Sequence, residues 1–548
     1  MDLRPLALPD PDPWMAALAA REPWLVERLP YGDPDAAERA ALDRYDPALR
    51  PALVAALEAQ AEAIGASAAS RAAIARLRDP RALVVVTGQQ AGALVGPNFT
   101  ILKAAGAVAH ARRAEARLGR PVVAVFWVAT EDSDVGEIQR ARLPLPGGGV
   151  RDFHLFQPVP SGRRPVGPIE AGAELRRLIG EIRESPAMPG AHREAVLELC
   201  ESLAERHTTV GGHFLALMAR LFADTPLVFL DPMDPALRRI AAPVLVGALA
   251  DPGRSARAAT AGAEALSRAG REVPVPWQEG ETGVFAILDG ERHMLEVRGE
   301  DLEPRGRPGE RAPMSAWAER ARERPEAFST GVHLRPVLQG ALLPVLGAIL
   351  GPGELRYHAQ LHELFEAFEV PLPLVWARPR AVLVGGTQRR LLERLELSVE
   401  DVLAGWQERL KAVLAERDTI GIGAAFDHFE NRLVEAHGEV MARVGGLARD
   451  LPGLGEKNLK RLRDETAWLR AKVEQAHRQG NETLIRQYHT LGEHLAPEHM
   501  PQDRWLTAVA FLAQYGLGLG AAMADDDGLC APGVLAASVV DEAHVAAS

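Results

Sequence analysis

Two apolar segments on either side of a glycine-rich turn and a helix constrain the fold of this chain most. The segments are ALVVV within residues 81–88 and PVVAVFWVA from Pro121, short apolar runs typical of strands buried on both faces. Residues 97–118 between them have helical spacing, and Pro97 suits a first helical turn. Residues 81–132 therefore predict one βαβ unit with a right-handed crossover, and hence an α/β fold with a parallel sheet.

The strand and helix alternation continues beyond this unit. Pro226–Asp231 is a third strand candidate, and Val370–Val384 is expected to return the chain to the sheet. Between them, Gly283–Leu288 and His293–Val297 flank an Asp-Gly turn, which predicts a β-hairpin in an inserted subdomain.

Two long apolar stretches do not predict membrane spans. Val337–Leu350 is too short and contains Pro344, and Leu506–Met523 contains Gln514 and three glycines, so both are expected to be core helices. The chain has 62 Lys and Arg against 74 Asp and Glu, a net charge of −12 that disfavours nucleic acid or a membrane surface as a partner. The N-terminus lacks the pattern of a secretory signal, and two distant cysteines predict no disulfide framework, so a cytoplasmic location is expected.

After residue 391 the strand signals stop and heptad-like spacing begins. Three- and four-residue spacings before and after the turn Pro452-Gly453 predict two coiled-coil arms, with a bundle packed on the body as the alternative. The expected seam positions are Leu433, His437, Val440, Val444, Leu447, Leu451, Leu459, Leu462, Thr466, Leu469, Val473 and Ala476.

The glycine-rich turn after the first strand is a candidate ligand loop. Glycines at four-residue spacing before a helix start fit either a tight turn or a cradle for a phosphate or carboxylate. It is not a Walker loop, but two adjacent amide side chains at a strand end favour a polar ligand. The candidate residues here are Gln89, Gln90, Gly96, Pro97, Asn98 and Lys103.

Acidic residues follow the second strand, and polar residues interrupt a later apolar region. Glu131, Asp132 and Asp134 would bind an ammonium group or a divalent ion, or supply a general base; a solvated loop with a helix N-cap is the alternative. In residues 329–361 the candidate binding residues are Arg335, Gln339, Glu354 and Tyr357. Arg335 would bind a carboxylate or phosphate, or pair with an internal acid. The chain has no GxSxG or HExxH motif that would indicate a serine hydrolase or a zincin.

These segments together resemble a known family. TGQQAGALVGPNFTILKA, FWVATEDSDVGEI, LRPVLQGALLPVLGAILGPGELRYHAQL and PQDRWLTAVAFLAQYG, in this order and around a helical hairpin, are similar to BshC, the cysteine-adding enzymes of bacillithiol biosynthesis. The resemblance covers about residues 20–516 and implies a Rossmann-like, nucleotidyltransferase-type core with inserted connecting subdomains, and a homodimer through the helical hairpin. It also implies a ligase that joins the carboxyl group of cysteine to the amino group of glucosaminyl malate.

The resemblance and the residues together predict the roles in the site. ATP is the expected activating co-substrate, with Mg²⁺ as a candidate metal ion. Lys103, Glu131, Asp132 and Asp134 are the expected catalytic residues, and Arg378 joins the binding residues. Ser133 stands where the family usually has histidine, which raises the alternative of a non-catalytic or regulatory homologue that keeps the fold and the coiled coil.

The predicted organisation has six parts. They are a helical lead-in (1–80), a first core part (81–254), an inserted α+β subdomain (255–330), a second core part (331–390), a coiled-coil hairpin (391–500), and a C-terminal helix and tail (501–548).

Overall fold

A computed structural model describes residues 2–6, 8, 12–29, 34–160, 162–444, 446–531 and 533–538. The chain forms two compact units, one of Met1–Gly386 with Met500–Ser548 and one of Thr387–His499. The strands in chain order are β1 Asp2–Pro5, β2 Leu83–Gln89, β3 Val122–Val128, β4 Arg140–Pro144, β5 Val150–His154, β6 Leu227–Leu230, β7 Glu281–Leu288, β8 Glu291–Arg298, β9 Asp301–Pro304, β10 Ala312–Pro313, β11 Phe328–Thr330, β12 Val345–Leu350, β13 Leu374–Ala377, β14 Arg380–Val384 and β15 Val534–Ser538.

The helices complete the two units. In chain order they are α1 Pro13–Ala20, α2 Pro23–Arg28, α3 Pro34–Arg44, α4 Arg50–Ala63, α5 Ala68–Arg76, α6 Phe99–Leu118, α7 Val135–Ile138, α8 Gly172–Glu184, α9 Arg193–Arg206, α10 Val210–Leu221, α11 Pro235–Ala250, α12 Pro252–Arg268, α13 Met314–Glu323, α14 Leu334–Leu342, α15 Pro352–Gln360, α16 His362–Ala367, α17 Gly386–Leu395, α18 Val399–Glu416, α19 Ile422–Val444, α20 Leu451–Gly480, α21 Glu482–Leu495, α22 Gln502–Trp505, α23 Ala508–Tyr515 and α24 Leu519–Ala524.

A five-stranded parallel sheet organises the first unit. Its strand order is β13-β12-β2-β3-β6, and every pair in it is parallel. Residues of β2 alternate between two apolar clusters, with Leu83 and Val85 in one and Val84 and Val86 in the other. The sheet is therefore covered on both faces, as the continuous apolar runs of β2 and β3 predict. This confirms the α/β, Rossmann-like fold and the βαβ unit around α6.

One apolar stretch was expected to be a single core helix, and this prediction is wrong for half of it. Val337–Leu350 contains the end of α14, a break at Pro344, and then β12, which lies between β13 and β2 in the parallel sheet. The second half is fully buried and rich in β-branched and aliphatic residues, so a strand with neighbours on both sides satisfies its backbone. The stretch Leu506–Met523 does contain core helices, α23 and most of α24.

Two antiparallel hairpins lie in the segments of chain that connect the parallel strands. β7 and β8 form the predicted hairpin, and its turn has Asp289 and Gly290 at positive φ, 52° and 78°. This hairpin belongs to a five-stranded sheet of order β10-β9-β8-β7-β11. Nearer the parallel sheet, β4 and β5 form a second hairpin just after the acidic motif.

A third sheet joins distant parts of the chain. β15 lies between β1 and β14, antiparallel to the first and parallel to the second. The expected return of Val370–Val384 to the parallel sheet is therefore correct for β13 only, because β14 pairs with β15 instead.

The second unit is helical, with α19 and α20 as the two arms of a hairpin. The predicted turn at Pro452-Gly453 is wrong, because both residues lie in the first turn of α20, where proline is tolerated. Most expected seam residues are at least half-buried, but Val440, Leu447, Leu469 and Ala476 are exposed. None of the helices in the described part of the chain combines the length and apolar character that a bilayer crossing needs.

Candidate active site

A cavity of about 1000 Å³ lies at the carboxyl ends of β2, β3 and β12. In open parallel sheets, ligands bind at this edge, and the loops after the three strands all contribute to the lining. Seven cationic and four acidic side chains line it, namely Lys103, Arg140, Arg142, Arg292, Arg335, Arg378 and Arg504, with Glu131, Asp132, Glu137 and Glu354. The cavity therefore suits ligands that carry several negative charges together with an amine.

Most of the residues predicted from the sequence meet in this cavity. The predicted residues that line it are Gln89, Gln90, Pro97, Lys103, Glu131, Asp132, Arg335, Glu354, Tyr357 and Arg378. Four predicted residues are not among the lining residues: Gly96, Asn98, Asp134 and Gln339. Gln339 lines a separate cavity of about 20 Å³ behind Arg335 and Tyr357.

The glycine-rich turn is built for close packing rather than as an anion cradle. A Cβ atom on Gly88 would lie 2.8 Å from the Trp127 carbonyl oxygen, and one on Gly92 would lie 2.9 Å from Gly96 Cα. The amide groups of Gly96 and Asn98 already donate to the carbonyl oxygens of Ala93 and Leu506, at 2.9 and 3.0 Å. This contradicts the prediction that these two amides hold a phosphate or carboxylate.

Lys103 is the centre of a buried polar cluster beneath the end of β2. Its Nζ donates to the Gly88 carbonyl oxygen at 2.7 Å, to Gln89 Oε1 at 3.1 Å and to Glu354 Oε2 at 2.5 Å. Burial lowers the pKa of Lys103, and the charge of Glu354 opposes this effect. Burial also raises the pKa of Glu354, but Lys103 and the Gly351 amide outweigh it and bring that pKa below its ordinary value.

Each acidic residue of the motif after β3 has a different partner. Glu131 Oε2 accepts from Arg238 Nη2 of α11 at 2.6 Å, and these side chains are only 3% and 1% exposed. Asp132 Oδ2 accepts from Gln90 Nε2 at 2.5 Å, and its Oδ1 accepts from the Ser133 amide at 2.7 Å. Asp134 caps α7 by accepting from the Glu137 amide at 3.1 Å, which is the N-cap role that the sequence left open as an alternative.

Glu137 is a cavity residue that the site prediction omitted. It follows the acidic motif on α7 and lines the cavity close to Asp132. Burial raises the pKa of Glu137, and the nearby charges of Asp134 and Asp132 raise it further. A carboxylate with a raised pKa in an open cavity is a stronger base than an ordinary carboxylate.

Two buried arginines line the cavity beyond Lys103. Arg335 Nη2 of α14 donates a short hydrogen bond to the Tyr357 hydroxyl on α15, and burial raises the pKa of Tyr357. Arg378 follows β13, where its Nη2 lies 3.6 Å from Asp503 Oδ2 and its guanidinium lies 4.4 Å from the Phe99 ring centre. Each of these arginines therefore has a fixed partner within the protein.

The sequence prediction also missed arginines from three other elements. Arg292 of β8 donates to Ser329 Oγ and to the Thr330 carbonyl oxygen, both at 3.0 Å. Arg140 and Arg142 lie on β4, and Arg504 lies on α22. Only Arg504 had a signal in the sequence, because the segment PQDRWLTAVAFLAQYG carries part of the family resemblance.

The comparisons with known proteins identify the family. The model of the bacillithiol biosynthesis BshC N-terminal Rossmann-like domain matches residues 33–379, and that of the BshC C-terminal coiled-coil domain matches residues 381–525. The chain belongs to the BshC family. The resemblance stated from the motifs is thereby confirmed, and so are the Rossmann-like and coiled-coil parts of the fold.

Curated relatives of this BshC family member match along most of their length. "Putative cysteine ligase BshC" of Symbiobacterium thermophilum is 35% identical over 491 residues, which is 87% of each chain. The protein of the same name from Heliobacterium modesticaldum is 31% identical, over 92% of this chain and 94% of its own. That from Koribacter versatilis is also 31% identical, over 89% and 90%. The prediction of a ligase is confirmed at the level of the family.

Proposed function

We propose that this chain joins the carboxyl group of cysteine to the amino group of glucosaminyl malate, which produces bacillithiol. The observation that carries the proposal is the cavity at the strand ends, with cationic and acidic side chains in one lining. Both proposed substrates carry carboxylate and amino groups, so a site for them needs both kinds of side chain. The names of the curated relatives and the family's place in bacillithiol biosynthesis support the same reaction.

Amide formation from a free carboxylate is unfavourable in water, so we propose that ATP activates cysteine. A cysteine carboxylate oxygen attacks the α-phosphate and diphosphate leaves, which gives cysteinyl adenylate. The amine nitrogen of glucosaminyl malate then attacks the carbonyl carbon, and AMP leaves with the electrons of the broken C–O bond. Gln89 and Gln90 would bind a phosphate or carboxylate; with its oxygen on Lys103, Gln89 offers its amide N–H groups to the ligand. Lys103 would stabilise the developing negative charge.

The acidic side of the cavity would handle the amine. Asp132 and Glu131 would provide the negative environment that an ammonium group requires, and the lining position of Glu137 suits it to accept the proton lost on attack. Asp134 has no part in this proposal, because it caps α7 outside the lining. Arg335, held by Tyr357, would bind a malyl carboxylate.

Mg²⁺ fits this cavity only as an ion shared with substrate. Among the described residues, no group of three His, Cys, Asp or Glu side chains is arranged to hold a metal ion. Proteins usually bind Mg²⁺ through one or two carboxylates plus substrate phosphates. Asp132 would hold it together with the nucleotide, where the ion neutralises phosphate charge.

The test is formation of bacillithiol from cysteine, glucosaminyl malate, ATP and Mg²⁺ by the purified protein, with thiol products labelled and separated. We expect product only when ATP is present, and about 100-fold slower turnover for Glu137→Gln, which removes the proposed base. Asp289→Asn, in the exposed hairpin turn, is the matched control and should turn over like the wild type. A folded protein that forms no product under these conditions would contradict the assignment, and product without ATP would contradict the activation step.

Ser133 favours a second candidate, a regulatory homologue that binds the same ligands without turnover. It replaces the histidine usual in the family's acidic motif, and its amide only donates to Asp132 Oδ1. Thiol analysis of a deletion strain separates the candidates. Loss of bacillithiol with accumulated glucosaminyl malate supports the enzyme, and an unchanged thiol pool supports the regulatory homologue.

The proposed assembly is a cytoplasmic homodimer that pairs through the helical hairpin. Phe429 and Val440 of α19 and Trp468 of α20 are large apolar side chains that are more than half exposed. Eleven residues separate Phe429 from Val440, which places both on one face of the helix. Val440→Glu with Trp468→Glu should convert the dimer to a monomer in sedimentation experiments, and a wild-type protein that sediments as a monomer at micromolar concentration would contradict the assembly.

A further inference from the structure

One wall of the cavity is an arginine wall, formed by Arg140, Arg142 and Arg504. Arg140 and Arg142 are two residues apart on β4, so both side chains lie on the same face of the strand. The segment after α22 runs beside this strand: the Arg142 amide donates to Thr507 Oγ1 at 2.7 Å, and the Thr507 amide donates to the Arg142 carbonyl oxygen at 3.0 Å. Arg504 is thereby brought to the same wall as the β4 arginines.

Arg142 is held in place at the base of this wall. Its Cζ lies 3.8 Å from the centre of the Trp505 ring, and its Nε lies 3.3 Å from Asp152 Oδ1 on the paired strand β5. Stacking and the ion pair fix the plane of the guanidinium and leave its charge partly compensated.

Arg140 and Arg504 differ from the other cations that line the cavity. Both are exposed cavity residues, and neither has an ion pair or a hydrogen bond through its side chain within the part of the chain that the structure describes. Lys103, by contrast, has Glu354, and Arg378 has Asp503. Two like charges beside a third are unfavourable until an anion lies between them.

We propose that the arginine wall is an anion subsite for a substrate group with two or more negative charges. The chemistry fits a dicarboxylate, such as the malyl group of the acceptor, and equally a polyphosphate, such as that of ATP. Guanidinium groups bind both through paired hydrogen bonds. The inference rests on the proposed function for the identity of these ligands, but the subsite itself follows from the unpaired arginines.

The experiment measures binding of one ligand at a time by calorimetry, so that no turnover is required. The ligands are glucosaminyl malate and ATP, with methyl glucosaminide and AMP as counterparts that lack the dicarboxylate and the polyphosphate. The proteins are the wild type, Arg140→Gln, Arg504→Gln and their combination. Arg151→Gln is the matched control, because Arg151 is an exposed arginine of the same hairpin outside the lining.

We expect each single substitution to weaken binding of one multiply charged ligand by about threefold to fivefold, and the pair by about tenfold or more. Loss confined to glucosaminyl malate assigns the subsite to the acceptor, and loss confined to ATP assigns it to the nucleotide. Affinities unchanged in all variants, an equal loss in Arg151→Gln, or a wild type that binds neither ligand would overturn the proposal. If the arginine variants lose affinity as expected but the wild type forms no bacillithiol in the turnover assay, the subsite stands and only the proposed reaction is refuted.

Discussion

Glu354→Gln tests the buried ion pair beneath β2 directly. The substitution removes the negative charge but keeps an oxygen that can accept from Lys103 and from the Gly351 amide. At the 2.5 Å separation of Nζ and Oε2, the attraction is about 7 kcal/mol with an effective dielectric constant near 20. Lost hydration of the two charges offsets more than half of it, so we expect a loss of about 3 kcal/mol in unfolding free energy at pH 7.

The pH dependence gives this prediction a sign. In the variant nothing opposes the effect of burial, so the pKa of Lys103 falls further below its ordinary value. At pH values between the lowered pKa of Lys103 in the folded protein and its ordinary pKa in the unfolded chain, only the unfolded chain keeps the Lys103 proton. The unfolding free energy of the variant therefore rises with pH in this range. The deficit of the variant relative to the wild type should therefore become smaller as the pH rises from 7 towards the ordinary pKa of lysine.

Hydrogen exchange of the α6 amides at increasing urea concentration monitors unfolding of the Rossmann-like unit separately from the helical unit. Glu58→Gln is the control, because Glu58 and Arg78 form an exposed pair at 2.7 Å that should contribute less than about 1 kcal/mol. A loss below about 1 kcal/mol for Glu354→Gln, or a deficit that does not change with pH, would refute the reasoning.

Two further predictions concern the acidic side of the cavity. Because the proposed base must lose its proton before it can act, kcat/KM should rise as the pH increases through the raised pKa of Glu137. Glu137→Gln should abolish this rise and should change the affinity for glucosaminyl malate by no more than about threefold. A rise of kcat/KM with pH that is unchanged in the variant would contradict the role of Glu137 as base. Arg238→Met should lower the unfolding free energy by about 3 to 5 kcal/mol, because Glu131 stays buried without its partner. Adding Glu131→Leu should recover most of that loss in a double-mutant cycle, and full additivity would contradict the pairing.

The parts of the fold that the sequence predicts correctly are those with a local signal. The runs of β2 and β3 are apolar and continuous, and the β7–β8 turn has Asp and Gly where positive φ is needed. Val345–Leu350 has no such signal, because a short apolar run fits a buried strand and a buried helix equally well. Only its neighbours β2 and β13 decide between them, and they are distant in sequence.

The same distinction holds for the candidate site. Gln90 and Asp132 are predicted because each follows a strand whose carboxyl end forms the cavity edge, and Lys103 because it lies early in the helix after the glycine-rich turn. Asn98 and Asp134 belong to the same two motifs but do not line the cavity: the Asn98 amide donates to Leu506, and Asp134 caps α7. Arginines of β4, β8 and α22 reach the cavity only through tertiary packing, which the periodicity of a sequence does not encode.

The sheet formed by β1, β15 and β14 can form only late in synthesis of the chain. Asp2 pairs with Ser538, so the first strand waits until more than 500 further residues have left the ribosome. At about 5 to 20 residues per second, this wait lasts about half a minute to two minutes. During that time β1 lacks its neighbour, and β14 lacks the same strand from its own synthesis onward, so their open edges are exposed to other nascent chains. The synthesis of β15 therefore determines when the edges of β1 and β14 are protected.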